Sequence, residues 1–237
     1  MKKILNKFLY LLDKQLEDQN VNIIKYYLGN NLKTVFDIGA HKGETIDTLK
    51  NNFKINKIYA FEPNPEIFNI LKKRKFKNVK IFQLGVSNKK GIDTLKIGYI
   101  SSMSTLSKIN ESDFYSKIKK IIISIFYGKF AIYKKNLSIR KIQLKKFLIS
   151  KNIEIIDLLK IDTEGHELNV IKGLENKIKK VRLILFEHHY DKSIIKDYNY
   201  KDINRYLVKN NFVLASKLKM KFRKSYEMIY YNNKFNK

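Results

Sequence analysis

The chain has 237 residues, 44% of them hydrophobic, which suits one α/β domain with additions; only two prolines occur, Pro63 and Pro65, and nothing resembles a linker. It has no cysteine, which excludes disulfides and thiolate metal sites. The formal net charge of +27 rests on 49 basic residues of which 49 − 5 = 44 are Lys; they are spread along the chain and Arg, the bidentate phosphate reader, is scarce, so the charge reads as AT-rich codon drift over a solvated surface, with no nucleic-acid partner expected.

Residues 1–30 read as an N-terminal helical extension. Ile4, Leu5, Phe8, Leu11, Leu12 and Leu16 fall at helical spacing. The opening looks like a signal peptide, but Lys7 and Asp13 break its apolar run and no small-residue cleavage site follows. No stretch reaches the roughly 18 apolar residues of a membrane span. A soluble, cytoplasmic protein is expected, with a membrane-surface helix as the alternative reading of the N-terminal stripe.

Residues 31–237 read as one domain in which strands and helices alternate. "TVFDIG", "KIYAFEP" and "VKIFQLGVS" are short apolar runs read as buried strands, separated by helical patterns in "ETIDTLKNNF" and "PEIFNILKKRKF", the latter with Pro65 in its first turn. An insertion spans 99–143. It holds a Ser-rich stretch, then "IIISIFYGKFAIY" between Lys pairs, which reads as a lid, a dimer surface or a membrane-touching patch. If lipid contact is its role, Ile122→Asp with Phe126→Asp should abolish liposome binding. The alternation then resumes with "IDLLKIDTEG", "HELNVIKGLENKIKK" and "VRLILFEHH", a helix in "YKDINRYLVKNN", and a closing hairpin of "FVLASKLKM" and "SYEMIYYN". Such a pattern predicts seven core strands in a mostly parallel sheet with helices on both faces. Ligands bind beyond the carboxyl ends of such strands, so Asp37, Glu62, Gly85, Asp162 and Glu187 are the strand-end positions of interest.

"VFDIGAHKGET" places Gly39 and Gly43 in a loop between the first strand and its helix, a pattern that suits a nucleotide-like ligand. His41 breaks the G-x-G-x-x-G fingerprint, which disfavours a diphosphate cradle. Glu62, ending the second strand, stands where an acid accepts hydrogen bonds from ribose hydroxyls. An adenosine ligand without phosphates follows. S-adenosylmethionine fits, its cationic amino group suiting Asp37. Asp37 as a cap of the next helix and Glu62 as an ordinary strand-end acid are the competing readings.

The sequence resembles the FkbM family of S-adenosylmethionine-dependent methyltransferases, through "VFDIGAHKGET", "IYAFEPNPEIFNILKK", "NVKIFQLGVSNKKG", "SSMSTL" and "LLKIDTEGHELNVIKG". The resemblance runs from about residue 33 to 190. It implies a Rossmann-like class I methyltransferase fold, a sheet in the order 3-2-1-4-5-7-6 with the last strand antiparallel, and S-adenosylmethionine as cofactor. It implies Asp37, Gly39, Ala40 and Gly43 on the methionine side, Glu62 on the ribose with Pro63 and Asn64 beside it, and Leu84, Gly85 and Val86 near the adenine. Many members carry Asn where this chain has His41. The implied reaction is O-methylation of a sugar or natural product, with a bacterial surface glycan precursor, free or lipid-linked, as the expected acceptor.

For a hydroxyl acceptor the protein must align the oxygen and take its proton. Asp162, Glu164, His166, Glu187 and His188 are the catalytic candidates, gathered by their strand ends at one mouth. Acids in the first turn of the following helix and satisfied strand-end histidines are the plainer readings. Ser101, Ser102 and Ser104 are the candidate acceptor contacts. Asp162, Glu187, His188 and Asp191 have the chemistry of an oxygen-and-nitrogen metal site, but their spacing does not demand one, and metal-independent catalysis is expected. An RNA methyltransferase and a non-catalytic binding protein are the rival functions; a homodimer is compatible with the sequence.

Overall fold

A computed structural model of the chain describes residues 2–221 and 224–235, with side chains described from Lys14 onward. In chain order the elements are α1 (Lys2–Leu28), β1 (Asn31–Ile38), α2 (Glu44–Asn52), β2 (Lys54–Phe61), α3 (Pro65–Lys73), β3 (Val79–Phe82), β4 (Gly85–Ser87), β5 (Gly91–Gly98), β6 (Lys108–Ile109), α4 (Phe114–Tyr127), β7 (Tyr133–Gln143), α5 (Leu144–Ser150), β8 (Ile156–Ile161), α6 (Glu167–Lys172), β9 (Val181–His189), β10 (Ile194–Ile195), α7 (Tyr200–Lys209), β11 (Phe212–Lys219) and β12 (Ser225–Asn232).

Seven strands form one sheet in the order β11-β12-β9-β8-β1-β2-β3. β3, β2, β1, β8 and β9 run parallel, and β12 lies antiparallel between β9 and β11. This is the 3-2-1-4-5-7-6 arrangement that the family resemblance implies. The central strands are near-continuous runs of buried Val, Ile, Leu and Phe because both faces are covered. One face packs Phe36, Phe61, Phe147, Leu159, Ile184 and Phe186 under α5, α6 and α7. The other packs Val35, Ile58, Leu158 and Leu183 under α2, α3 and α1. Val21, Ile24 and Leu28 belong to this second core, so the latter half of α1 is built into the fold. The stripe Ile4, Leu5, Phe8, Leu11 and Leu12, on which the membrane-surface reading rests, lies outside the described side chains. No described helix is long and apolar enough to cross a membrane.

Two expectations change. The third strand does not run to residue 87. It ends at Phe82, and Gly85–Ser87 turns away to pair with β7 in a separate three-stranded sheet, β4-β7-β5. Gly85 therefore starts a strand of the small sheet and does not end a core strand. The apolar insert is the helix α4, started by the Asp113 side chain, which accepts from the Tyr115 N–H, and stopped at Gly128. Its Ile123 is buried, while Phe114, Ile121 and Ile125 are exposed. Ile122 and Phe126, singled out above for lipid contact, are half-buried; the helical phase turns Ile121 and Ile125 outward in their place.

Candidate active site

A cavity of about 520 Å³ opens at the carboxyl ends of β1, β2, β8 and β9. Its walls are the loop after β1, the β2 end at Glu62 and Pro63, the β8 end at Asp162, Thr163 and Glu164, and Glu187 of β9. Gly85, Val86 and Leu84 form one side. Tyr99, Ser101, Ser102, Ser104 and Leu106 from the insertion, with Tyr127 at the end of α4, form the roof. A second hollow of about 580 Å³, lined by Ile81, Leu84, Ile92, Arg140 and Ile142 among others, holds no carboxylate or imidazole.

The loop after β1 is shaped by close approach. Gly39 has φ +82°, and a Cβ there would overlap the Asp162 carbonyl oxygen, so only glycine lets β1 and β8 end side by side. The Gly39 and Ala40 N–H groups both donate to the Phe61 carbonyl (2.9 and 3.0 Å). The His41 N–H donates to Glu62 Oε2 (2.9 Å), the Lys42 N–H to Glu44 and the Gly43 N–H to the Ala40 carbonyl. Every amide from 39 to 43 is engaged within the protein. The loop thus offers no nest of free N–H groups for a diphosphate.

Glu62 is fixed from both sides: Oε2 accepts from His41 and Oε1 from the Asn64 N–H (2.8 Å). Burial pushes its carboxyl up to about 7, against the opposing pull of those two N–H groups and of His41. Each oxygen keeps a lone pair for a hydroxyl donor in the cavity. Asn64 is itself behind the wall, capping α3 by accepting from the Glu66 N–H (3.0 Å).

Asp37 is fully buried and does not line the cavity. The cation it meets is Lys160, its register partner on β8, with Nζ 3.5 Å from Oδ1. Lys160 reaches on into the cavity and lies 3.4 Å from Asp162 Oδ2. Burial raises the Asp37 carboxyl, and the surrounding carboxylates Asp37, Asp162 and Glu227 raise the Lys160 ammonium.

Of the catalytic candidates, the structure brings together Asp162, Glu164 and Glu187. His166 and His188 stand elsewhere. The His166 ring sits at the start of α6 with Nε2 2.9 Å from Ser87 Oγ, bracing the helix against β4, and burial pushes it down to about 4. His188 points to the opposite face of β9 from Glu187, as strand alternation dictates, and packs among Tyr190, Tyr198 and Tyr200; burial pushes it down to about 3. His189, on the same face as Glu187, has Nε2 3.2 Å from Glu164 and 3.4 Å from Glu187, and Nδ1 3.7 Å from Asp191. Those carboxylates hold its pKa well above the ordinary histidine value in spite of burial. The set Asp162, Glu187, His188 and Asp191 does not converge, and among the described residues no His, Asp and Glu group has metal-site geometry. Of the cofactor candidates, Gly39, Ala40, Glu62, Pro63, Gly85 and Val86 line the cavity, while Asp37, Gly43 and Asn64 support it from behind.

The serines divide. His41 Nε2 is 2.7 Å from Ser101 Oγ, which fastens the insertion to the glycine loop, whereas Ser104 Oγ donates to the Ser101 carbonyl (2.9 Å) within the insertion and Ser102 lines the cavity. Thr105 Oγ1 donates to the Glu164 carbonyl (2.6 Å) and Ser107 Oγ to the Gly165 carbonyl (2.8 Å), stitching the insertion to the β8 loop. Sequence reasoning missed Lys160 and Glu227 and, of the two adjacent histidines ending the same strand, put His188 rather than His189 among the catalytic candidates. A charged residue inside the buried run "IDLLKID" is the available signal for Lys160; Glu227 faces the cavity only because β12 inserts beside β9, which no local pattern reveals.

A family model described as the methyltransferase FkbM domain matches residues 37–214. The methyltransferase sdnD of Sordaria araneosa is 31% identical over 159 residues, covering 60% of this chain and 61% of that protein. The hexuronic acid methyltransferase AglP of Haloferax volcanii is 24% identical over 160 residues, covering 65% of this chain and 55% of that protein. The chain thus matches less than two thirds of the length of either relative. The crystal structure of methyltransferase FkbM from Methylobacillus flagellatus shares the fold, with a TM-score of 0.55 at 14% identity over 85% of this chain and 44% of that one.

Proposed function

The chain belongs to the FkbM methyltransferase family, and on that premise we propose that it is an S-adenosylmethionine-dependent O-methyltransferase acting on a hydroxyl of a sugar or surface-glycan precursor. One observation carries the reading: a single cavity joins Glu62, fixed as an acceptor by two backbone N–H groups, to the strand-end carboxylates Asp162, Glu164 and Glu187. A glycine loop whose amides are all engaged suits a nucleoside without a diphosphate. The relative from Haloferax volcanii, named for hexuronic acid, supports a sugar as the acceptor class.

S-adenosylmethionine, when bound, supplies a methyl group on a sulfonium, an electrophilic carbon that needs no further activation. Glu62 would hold the ribose hydroxyls, with Gly39 and Ala40 on the methionine side and Leu84, Gly85 and Val86 against the base. Asp162 is the proton acceptor in this scheme. The Asp162 carboxylate would take the proton of the acceptor hydroxyl and so leave its oxygen free to act as the nucleophile. Lys160, 3.4 Å away, positions that carboxylate. The roof of Tyr99, Ser102 and Leu106 covers the acceptor and excludes water.

Calorimetric titration with S-adenosylhomocysteine tests the reading. Micromolar binding is expected, weakened tenfold or more (about 1.4 kcal/mol) by Glu62→Ala, followed by transfer of labelled methyl to sugar acceptors. Absence of binding by the wild type would remove the cofactor site and bring forward a non-catalytic role. The net charge of +27 favours one rival acceptor, RNA; steeply salt-dependent RNA binding would support it.

A further inference from the structure

The cavity reverses the charge balance of the chain. Lys and Arg outnumber Asp and Glu by 49 to 22 over the whole sequence. Among the described residues lining the cavity, seven are carboxylates and two are lysines. Codon drift and surface solvation explain an excess of Lys, not its exclusion from one concave site.

The carboxylates are placed by the sheet. Glu187 of β9 and Glu227 of β12 are directly opposed in register and both face the cavity, a like-charge pair that costs stability in an antiparallel ladder. Asp162 and Glu164 follow from the end of β8. The described cations at this floor already have carboxylate neighbours: Lys160 has Asp37 and Asp162, and His189 has Glu164, Glu187 and Asp191. Lys42, the other lining lysine, lies out on the glycine loop. An entering carboxylate or phosphate would meet acids in a half-enclosed, low-dielectric site, where repulsion is stronger than in water. An entering ammonium would meet partners.

We infer that the acceptor brings a protonated amine, and no anionic group, to the floor formed by Asp162, Glu187 and Glu227: an amino sugar is preferred to its neutral counterpart, and a uronic acid or sugar phosphate is rejected, so the acceptor differs in charge from the one for which the Haloferax volcanii relative is named. This narrows the acceptor class and rests on the reading of the cavity as a methyl-transfer site. The same charge pattern disfavours a polynucleotide strand at the floor, whatever the outer surface attracts.

The test is calorimetry on protein saturated with S-adenosylhomocysteine, titrated with glucosamine, glucose and glucuronate. Glucosamine should bind at least tenfold tighter than glucuronate, with glucose between them. Glu227→Gln, which keeps the shape and the hydrogen bond from Asn20, should cut the glucosamine-to-glucuronate ratio at least threefold. Asp162→Asn should do the same by an independent route. Equal binding, tighter glucuronate, or no binding of any of the three sugars would overturn the inference. Failure of S-adenosylhomocysteine to bind would instead strike the methyltransferase reading, so the two can fail separately.

Discussion

Lys160 stands opposite Asp37 in the register of β8 and β1, and its ammonium lies 3.5 Å from a carboxylate that no water reaches. Among the described residues neither Asp37 oxygen has a hydrogen-bond partner, and this cation is its compensation. Removing one partner of a buried pair costs about 3–5 kcal/mol, because the other charge is left uncompensated. Lys160→Met should therefore lower the unfolding free energy in urea by that amount, and Asp37→Asn added to it should recover a large part. Burial already raises the Asp37 carboxyl. A group raised in the folded state favours folding at low pH and disfavours it as pH rises, so the loss in Lys160→Met should be larger at pH 8 than at pH 5.

Glu62 gives the cofactor site a pH dependence. Its carboxyl titrates at about 7 in the folded chain, against 4.5 for an ordinary Glu, because burial outweighs the N–H groups of Asn64 and His41; Asp37 adds to the rise. Two effects follow by linkage. The free protein loses stability from Glu62 as pH climbs from about 4.5 through 7. A ligand whose hydroxyls donate to the ionised carboxylate gains affinity over the same upper range, by about tenfold from pH 6 to pH 8 for a group titrating at 7. Calorimetry with S-adenosylhomocysteine across that range should show the rise in the wild type and a flat profile in Glu62→Gln.

The core sheet was legible because its strands are buried on both faces and announce themselves as apolar runs bounded by helical periods. The Glu62 and Asp162 positions were legible for the same reason, since a strand-end acid is visible wherever the strand is. What was not legible depended on partners distant in sequence. "VKIFQLGVS" looks like one strand, yet Gly85–Ser87 is drawn off to β7, more than 50 residues on. His188 and His189 are indistinguishable as letters; alternation along β9 from Glu187 separates them, but only once the face of Glu187 is known. Asp37 looked like a ligand contact because its β8 neighbour could not be seen, and that neighbour supplies the cation.

Gly39 should be the most sensitive residue of the glycine loop. Alanine there meets a left-handed φ of +82° and a Cβ that overlaps the Asp162 carbonyl oxygen, which is backbone and cannot swing aside. Strain of about 1–2 kcal/mol adds to an overpacking cost of about 1–3 kcal/mol. For a chain of this size the sum corresponds to a melting-temperature loss of roughly 4–20 °C. Gly128→Ala, also left-handed but with open space around its Cβ position, should cost only the strain, and differential scanning calorimetry of the pair separates the two terms.

His41 ties the glycine loop to the insertion. Its Nε2 lies 2.7 Å from Ser101 Oγ and its Nδ1 3.1 Å from Glu44, while its N–H holds Glu62. The backbone contact survives any side-chain change, but the ring contact does not. Ser101→Ala should therefore leave S-adenosylhomocysteine affinity within about twofold, since Glu62 keeps both N–H donors. It should cost about 1 kcal/mol at the insertion, the net worth of one hydrogen bond. The insertion keeps its other stitches, from Thr105 to the Glu164 carbonyl and from Ser107 to the Gly165 carbonyl, so the loosening should be confined to residues near 99–104. Native-state hydrogen exchange should show the Met103 and Ser104 amides, which donate to the Ile100 and Ser101 carbonyls, exchanging several-fold faster. The Thr105 amide, paired with the Lys96 carbonyl, should be unchanged. Faster exchange spreading through Thr105 and into β5 would show instead that the histidine contact secures the whole roof.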